Sequence, residues 1–250
     1  MAYQEENKMN SKVKLDLQAY MDKDPAATSK ASVFFTYPGF RAVYNYRIAH
    51  WFYTHKMKFF ARLISKHSRF KTGVEIHPAA IIGTGMVIDH GCGVVIGETT
   101  EIGNNVIIYQ GVTLGGTGKD VGKRHPTIMD NVMISAGAKV LGPITIGENC
   151  KIGAGSVVLK NVPPHSTVVG IPGRVVKTKN ERVADLNQTQ LPDPILEEFT
   201  RLNKRICTLE EKLNIQTCKY SITNIEPTED EFFNETSNSA EAPKKDNNNK

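Results

Sequence analysis

The chain has 250 residues, enough for one or two domains, and its 40% hydrophobic content leaves ample material for a core. A formal charge of +5 is spread along the chain with no basic run interleaved with aromatics, which argues against a nucleic-acid partner. No apolar run approaches the roughly 20 residues of a membrane span, and the polar stretch from Met1 to Asn10 is unlike a signal peptide, so a cytoplasmic protein is expected.

Residues 1–72 read as an N-terminal helical segment. Val13, Leu15, Leu17 and Tyr20 mark a first helix, and Pro38 and Gly39 punctuate before a second that carries Phe40, Val43, Tyr44, Ile48, Trp51 and Phe52 at helical spacing. A third piece, Phe59 to Phe70, is amphipathic and basic (Lys56, Lys58, Arg62, Lys66, Arg69). It reads as a packed helix with a solvated basic face rather than a membrane-surface helix.

Residues 73–178 change rhythm. An aliphatic residue recurs every six positions at Ile76, Ile82 and Ile88, then from Ile96 through Ile102 and Ile108 to Leu114, then from Ile128 to Val158. Six fits neither the 3.6 of a helix nor a long flat strand. It fits a coil of short strands joined by tight turns, a hexapeptide parallel β-helix. The beat breaks twice. The first break holds Asp89-His90, and the second holds Gly116 to Lys123 and ends in Arg124-His125. A regular coil supplies rigidity, so its departures are where chemistry is expected.

The second break is rich in Gly and Lys but lacks Walker spacing. A lid is the preferred reading, with Lys119 or Lys123 near phosphates as the alternative. The four cysteines, Cys92, Cys150, Cys207 and Cys218, show no metal-ligand spacing and read as free thiols. Cys150 falls on the row Val132, Ala138, Ile144 and is expected in the core; Cys92 lies beside His90.

Over residues 190–216 the apolar positions Ile195, Phe199, Leu202, Ile206, Leu209 and Leu213 alternate steps of four and three among charged neighbours. This amphipathic helix is favoured as a coiled coil. Residues 219–250, rich in Asn, Glu, Thr and Lys, are expected to be disordered.

The beat alone leaves open an acyltransferase or a purely structural solenoid. The local sequences decide. Glu75-Ile76-His77-Pro78-Ala79-Ala80, Asp89-His90-Gly91, Val95-Ile96-Gly97-Glu98-Thr99, Gln110 through Lys119 and Arg124-His125-Pro126 closely resemble the serine O-acetyltransferases. Upstream, Asp24-Pro25-Ala26-Ala27 and Tyr46-Arg47-Ile48-Ala49-His50-Trp51 do the same. The resemblance covers roughly residues 20 to 177.

The resemblance implies a left-handed β-helix that transfers acetyl from acetyl-CoA to the L-serine hydroxyl, in cysteine biosynthesis, with no metal. It makes His90 the general base, a task suited to an imidazole. Glu75, where many members have Asp, becomes the carboxylate that orients it. Asp24 and Asp89 would hold the serine ammonium, Arg124 its carboxylate, and His125 would hydrogen-bond substrate and oxyanion. Asp24 is also readable as a helix N-cap. Small residues Gly116, Ala136 and Ala154 would line the coenzyme cleft, with Lys151 near the nucleotide phosphate.

The site is expected between two subunits of a homotrimer, with L-cysteine as a feedback inhibitor at the serine site. The short helical segment speaks against hexamers. Many relatives end in the isoleucine that enters O-acetylserine sulfhydrylase; this chain ends Asn-Asn-Asn-Lys, which speaks against that complex. Two rivals remain: a hexapeptide acetyltransferase for a sugar, an antibiotic or another hydroxy amino acid, and a non-catalytic solenoid.

Overall fold

The computed structural model describes residues 2–118, 121–178 and 194–213. Their contacts group residues 1–194 in one unit and residues 195–250 in a second.

The first unit opens with four helices, α1 (Ala2–Lys23), α2 (Lys30–Thr36), α3 (Pro38–Thr54) and α4 (Lys58–Thr72). Three of them match the sequence reading, and α2 is an addition. Seven residues are too few to show a period, but Ser29 caps α2, its hydroxyl accepting from the Ser32 N–H at 3.1 Å. Pro38 and Gly39 belong to α3 instead of preceding it. Proline fits a first helical turn, where its missing N–H has no partner to lose.

The six-residue beat folds as a coil with three short strands per turn. β1 (Glu75–Ile76), β2 (Ile81–Ile82) and β3 (Val87–Ile88) are followed by β4 (Val95–Ile96), β5 (Glu101–Ile102) and β6 (Ile107–Ile108). Next come β7 (Thr113–Gly115), β8 (Thr127–Ile128) and β9 (Met133–Ile134), then β10 (Lys139–Leu141), β11 (Thr145–Ile146) and β12 (Lys151–Ile152). β13 (Val157–Val158), β14 (Ser166–Val169) and β15 (Arg174–Thr178) finish it. Each strand pairs in parallel with the one a full turn away. The first sheet is therefore β1-β4-β7-β10-β13, the second β2-β5-β8-β11 and the third β3-β6-β9-β12-β14-β15. Only β14 and β15 pair antiparallel.

The aliphatic beat points inward. Ile96 stacks on Leu114 in the first sheet, Ile102 on Ile128 in the second and Ile108 on Ile134 in the third, all essentially without solvent exposure. Each such side chain contributes roughly 1.5–3 kcal/mol of apolar burial. Cys150 is buried in this core, as its row implies, whereas Cys92 and Cys207 are exposed; Cys218 lies outside the described residues.

The helices pack against the first coil, and polar side chains fix them there. Asp16 and Arg47 form a buried ion pair at 2.6 Å. Asp16 also accepts the Gly85 N–H at 2.8 Å, and Arg47 donates to the Gly83 carbonyl at 2.7 Å. The Tyr46 hydroxyl donates to the Ala80 carbonyl at 2.6 Å. Helix α4 is bound through Ser65, which donates to the Ile76 carbonyl at 2.7 Å. Its outer face is less purely basic than expected, because Phe59, Phe60, Leu63 and Phe70 are exposed there.

The second unit contains α5 (Pro194–Leu213), the helix expected from the heptad spacing. Phe199, Leu202, Ile206, Leu209 and Leu213 form an exposed apolar stripe along it. No helix among the described residues is long and apolar enough to cross a membrane. The expected tail, 219–250, lies outside the described residues.

Candidate active site

Both breaks in the beat fall at corners of the coil. Asp89 and His90 occupy the corner that leads from the third sheet (β3) into the first (β4). Gly116, Arg124 and His125 occupy the corner from the first sheet (β7) into the second (β8). These corners bound the two sides of the first sheet. The sequence-predicted residues therefore divide into two clusters.

At the first corner, His90 is exposed and adopts φ 57°, the left-handed region that a non-glycine residue enters at a cost. Its N–H donates to Asp89 Oδ1 at 2.9 Å, which steadies the turn. The approach of α1 and α3 brings Asp24 here. The Tyr20 hydroxyl donates to the Ile88 carbonyl at 3.0 Å and accepts the Ile88 N–H at 2.9 Å, so the strand end is clamped to α1. Gly39 makes that approach possible, because a Cβ there would lie 1.9 Å from the Ile88 carbonyl oxygen. Asp24 follows α1, and its carboxylate accepts the Ala26 N–H at 2.8 Å; it closes a turn and does not cap a helix. Burial raises the Tyr37 phenol, as do its hydrogen bond to Asp24 and the charges of Asp24 and Asp89. Asp24, Tyr37 and Asp89 thus share one electronegative neighbourhood beside His90.

Further along the same corner stand Ala136 and Ala154, one coil apart, with the Gly155 N–H donating to the Ala136 carbonyl at 2.8 Å. Lys151 opens β12 in the third sheet. Glu75 opens β1, where its carboxylate meets Arg69 at 3.0 Å; among the described residues it forms no hydrogen bond with His90. Both partners of that ion pair are largely solvated, so it holds Glu75 only weakly.

At the second corner, Arg124 donates to Glu98 at 2.5 Å, and this bond holds the Glu98 carboxyl below the usual range. His125 is buried, and burial followed by the Arg124 charge lowers its pKa. Its ring packs against Gly97, where a Cβ would stand 1.9 Å from Cδ2 and 2.1 Å from Nε2. Gly116 packs against the Arg124 side chain. Lys123 donates to the Thr99 carbonyl at 2.8 Å and to Glu101 at 2.9 Å, which anchors the loop. Lys119 lies outside the described residues. Glu98 and Thr99 carry no sequence expectation of their own; the motif Val95 to Thr99 was their only signal.

One cluster offers carboxylates and an imidazole, and the other offers a guanidinium and a second imidazole. The charges of the two clusters are complementary to the ammonium and the carboxylate of a small zwitterion. Among the described residues no group of three or more His, Cys, Asp or Glu side chains stands ready to hold a metal ion.

Comparison with known proteins identifies the family. Residues 125–160 match the family "Bacterial transferase hexapeptide (six repeats)" and residues 1–44 match "Serine acetyltransferase, N-terminal". The chain is 59% identical over 202 residues to a serine acetyltransferase of Bacillus pumilus, covering 80% of this chain and 93% of that one. It superposes on a soybean serine acetyltransferase complexed with serine with a TM-score of 0.68 and 47% identity, covering 70% of this chain and 72% of that one. A serine acetyltransferase in complex with cysteine gives a TM-score of 0.73 and 43% identity over 76% and 75% of the two chains. The coil is accordingly the left-handed parallel β-helix of these relatives.

Proposed function

The chain belongs to the serine acetyltransferase family, and from that premise we propose how it transfers acetyl from acetyl-CoA to the hydroxyl of L-serine. The observation that carries the proposal is the division of the site into two clusters of complementary charge on two corners of one coil.

His90 takes the proton of the serine hydroxyl as the oxygen attacks the thioester carbonyl. Asp24 and Asp89 hold the serine ammonium, and Arg124 holds its carboxylate while Glu98 fixes the guanidinium from behind. His125 donates to the oxyanion of the tetrahedral intermediate. Collapse breaks the C–S bond, and the proton on His90 passes to the departing thiolate, leaving O-acetylserine and CoA. Glu75 orients the His90 ring once Arg69 releases it.

Acetyl-CoA lies in a cleft lined by Gly116, Ala136 and Ala154, with Lys151 at the nucleotide end. Because Gly116 stands on a different corner from Ala136 and Ala154, that cleft joins one corner of one copy to the other corner of the next, in a homotrimer. L-cysteine, which shares the charged groups of serine, competes at the same place, in keeping with the relative solved in complex with it.

The test is release of free CoA from acetyl-CoA with L-serine, L-homoserine or a simple sugar as acceptor, in wild type and His90→Ala. Serine-dependent release that collapses in the variant supports the reading. Release with the sugar alone, insensitive to Arg124→Ala, would move the acceptor.

A further inference from the structure

We propose that Thr99 is the positioning residue of the second corner, fixing His125 as the neutral tautomer with its proton on Nε2, where it can act as a hydrogen-bond donor. The role of that donor rests on the serine-transfer reading above; the tautomer itself does not.

The argument is a count of donors and acceptors. The Thr99 hydroxyl oxygen accepts the Arg124 N–H at 3.0 Å and the His125 N–H at 3.1 Å. With both acceptor positions used, its own proton points to His125 Nδ1, 2.9 Å away. The Thr99 backbone N–H also donates to Nδ1, at 3.2 Å. A nitrogen facing two donors carries a lone pair, so the ring proton sits on Nε2. Among the described residues the ring's hydrogen bonds are both made at Nδ1. The same threonine thus anchors the backbone of both Arg124 and His125 and sets what the imidazole can do.

Protonation of His125 would turn Nδ1 into a third donor facing the other two. The surrounding charges also disfavour it on balance: Arg124 and Lys123 on its own loop oppose a second positive charge, as does His77 beyond β1 when protonated, with Glu98 beyond β4 as the counterweight. Burial acts in the same direction. Burial, the Arg124 charge and the two donors at Nδ1 all favour the neutral imidazole at His125.

The test uses full-length protein labelled with ¹⁵N-histidine, the His125 signals being assigned by their loss in His125→Gln. Wild type should show His125 with the proton on Nε2. Thr99→Val keeps the shape, removes the hydroxyl and should mix the tautomers; Thr99→Ser should restore the wild-type pattern. In turnover, Thr99→Val should lower kcat/KM for serine about 10- to 100-fold, move its acid limb to higher pH and leave KM for acetyl-CoA unchanged. A wild-type His125 protonated on Nδ1 would overturn the assignment whatever the activity. So would Thr99→Ser falling as far as Thr99→Val, which would make the effect one of packing. A serine-inactive wild type with the expected tautomer would sink the transfer reading and leave the assignment standing.

Discussion

At the scale of single residues, the corners of the coil turn ordinary side chains into reagents by restricting what they can bond to. His90 sits exposed on a left-handed turn with its ring free of the core. His90→Ala should leave the fold and CoA binding intact and lower kcat about 10²- to 10⁴-fold, the usual contribution of a general base; CoA-release kinetics beside a binding titration separate the two. His77 shows the opposite case. Its Nδ1 accepts the Ala79 N–H at 3.0 Å, and burial followed by the Arg62 charge lowers its pKa to about 4. Between that value and the unfolded value near 6.5 the unfolded chain holds the proton and the folded chain does not. Stability should therefore fall as pH drops through this window. His77→Asn, which can still accept the Ala79 N–H, should flatten that part of a plot of Tm against pH; an unchanged slope would assign the acid sensitivity to other groups.

At the scale of elements, the coil was the legible part. Ile76 to Val158 announces itself because each inward position needs an aliphatic side chain and the strands are too short to hide the period. The breaks at His90 and Arg124 were equally visible. The bonds that make them a site were not: Thr99 contacts His125 across 26 residues, a distance set by the turn of the coil. Nor does a string of helical periodicity show that Asp16 finds Arg47, 31 residues away. That pair should matter greatly. Asp16→Ala strands a buried guanidinium and orphans the Gly85 N–H, so urea unfolding should show a loss of about 3–5 kcal/mol; a loss below 1 kcal/mol would mean that water replaces the carboxylate. Helix α5 carries a stripe that its own length leaves exposed, with the spacing of a coiled coil. Removing residues 190–250 should lower the oligomer size seen by light scattering or the Tm. If both stay the same, α5 has no part in self-association.

At the scale of the whole molecule, the question is why a single chain separates the groups proposed above to meet on one substrate. A three-sided coil places Asp89 and His90 on one side of the first sheet and Arg124 and His125 on the other. In the proposed homotrimer, rotation by a third of a turn would bring the first corner of one copy against the second corner of the next, and the same contact would repeat until the ring closes. Each site would then draw its base from one copy and its carboxylate clamp from another. Mixing two inactive proteins tests this directly. Homotrimers of His90→Ala lack a base at every site, and homotrimers of Arg124→Ala lack a clamp at every site. After denaturation and joint refolding at equal amounts, three quarters of the trimers are mixed. Each mixed trimer has one site that takes His90 from an Arg124→Ala chain and Arg124 from a His90→Ala chain. About a quarter of wild-type activity should therefore return, with a wild-type KM for serine because the rescued sites are complete. Sites built within one chain would return nothing at any mixing ratio, since every chain carries one of the two lesions.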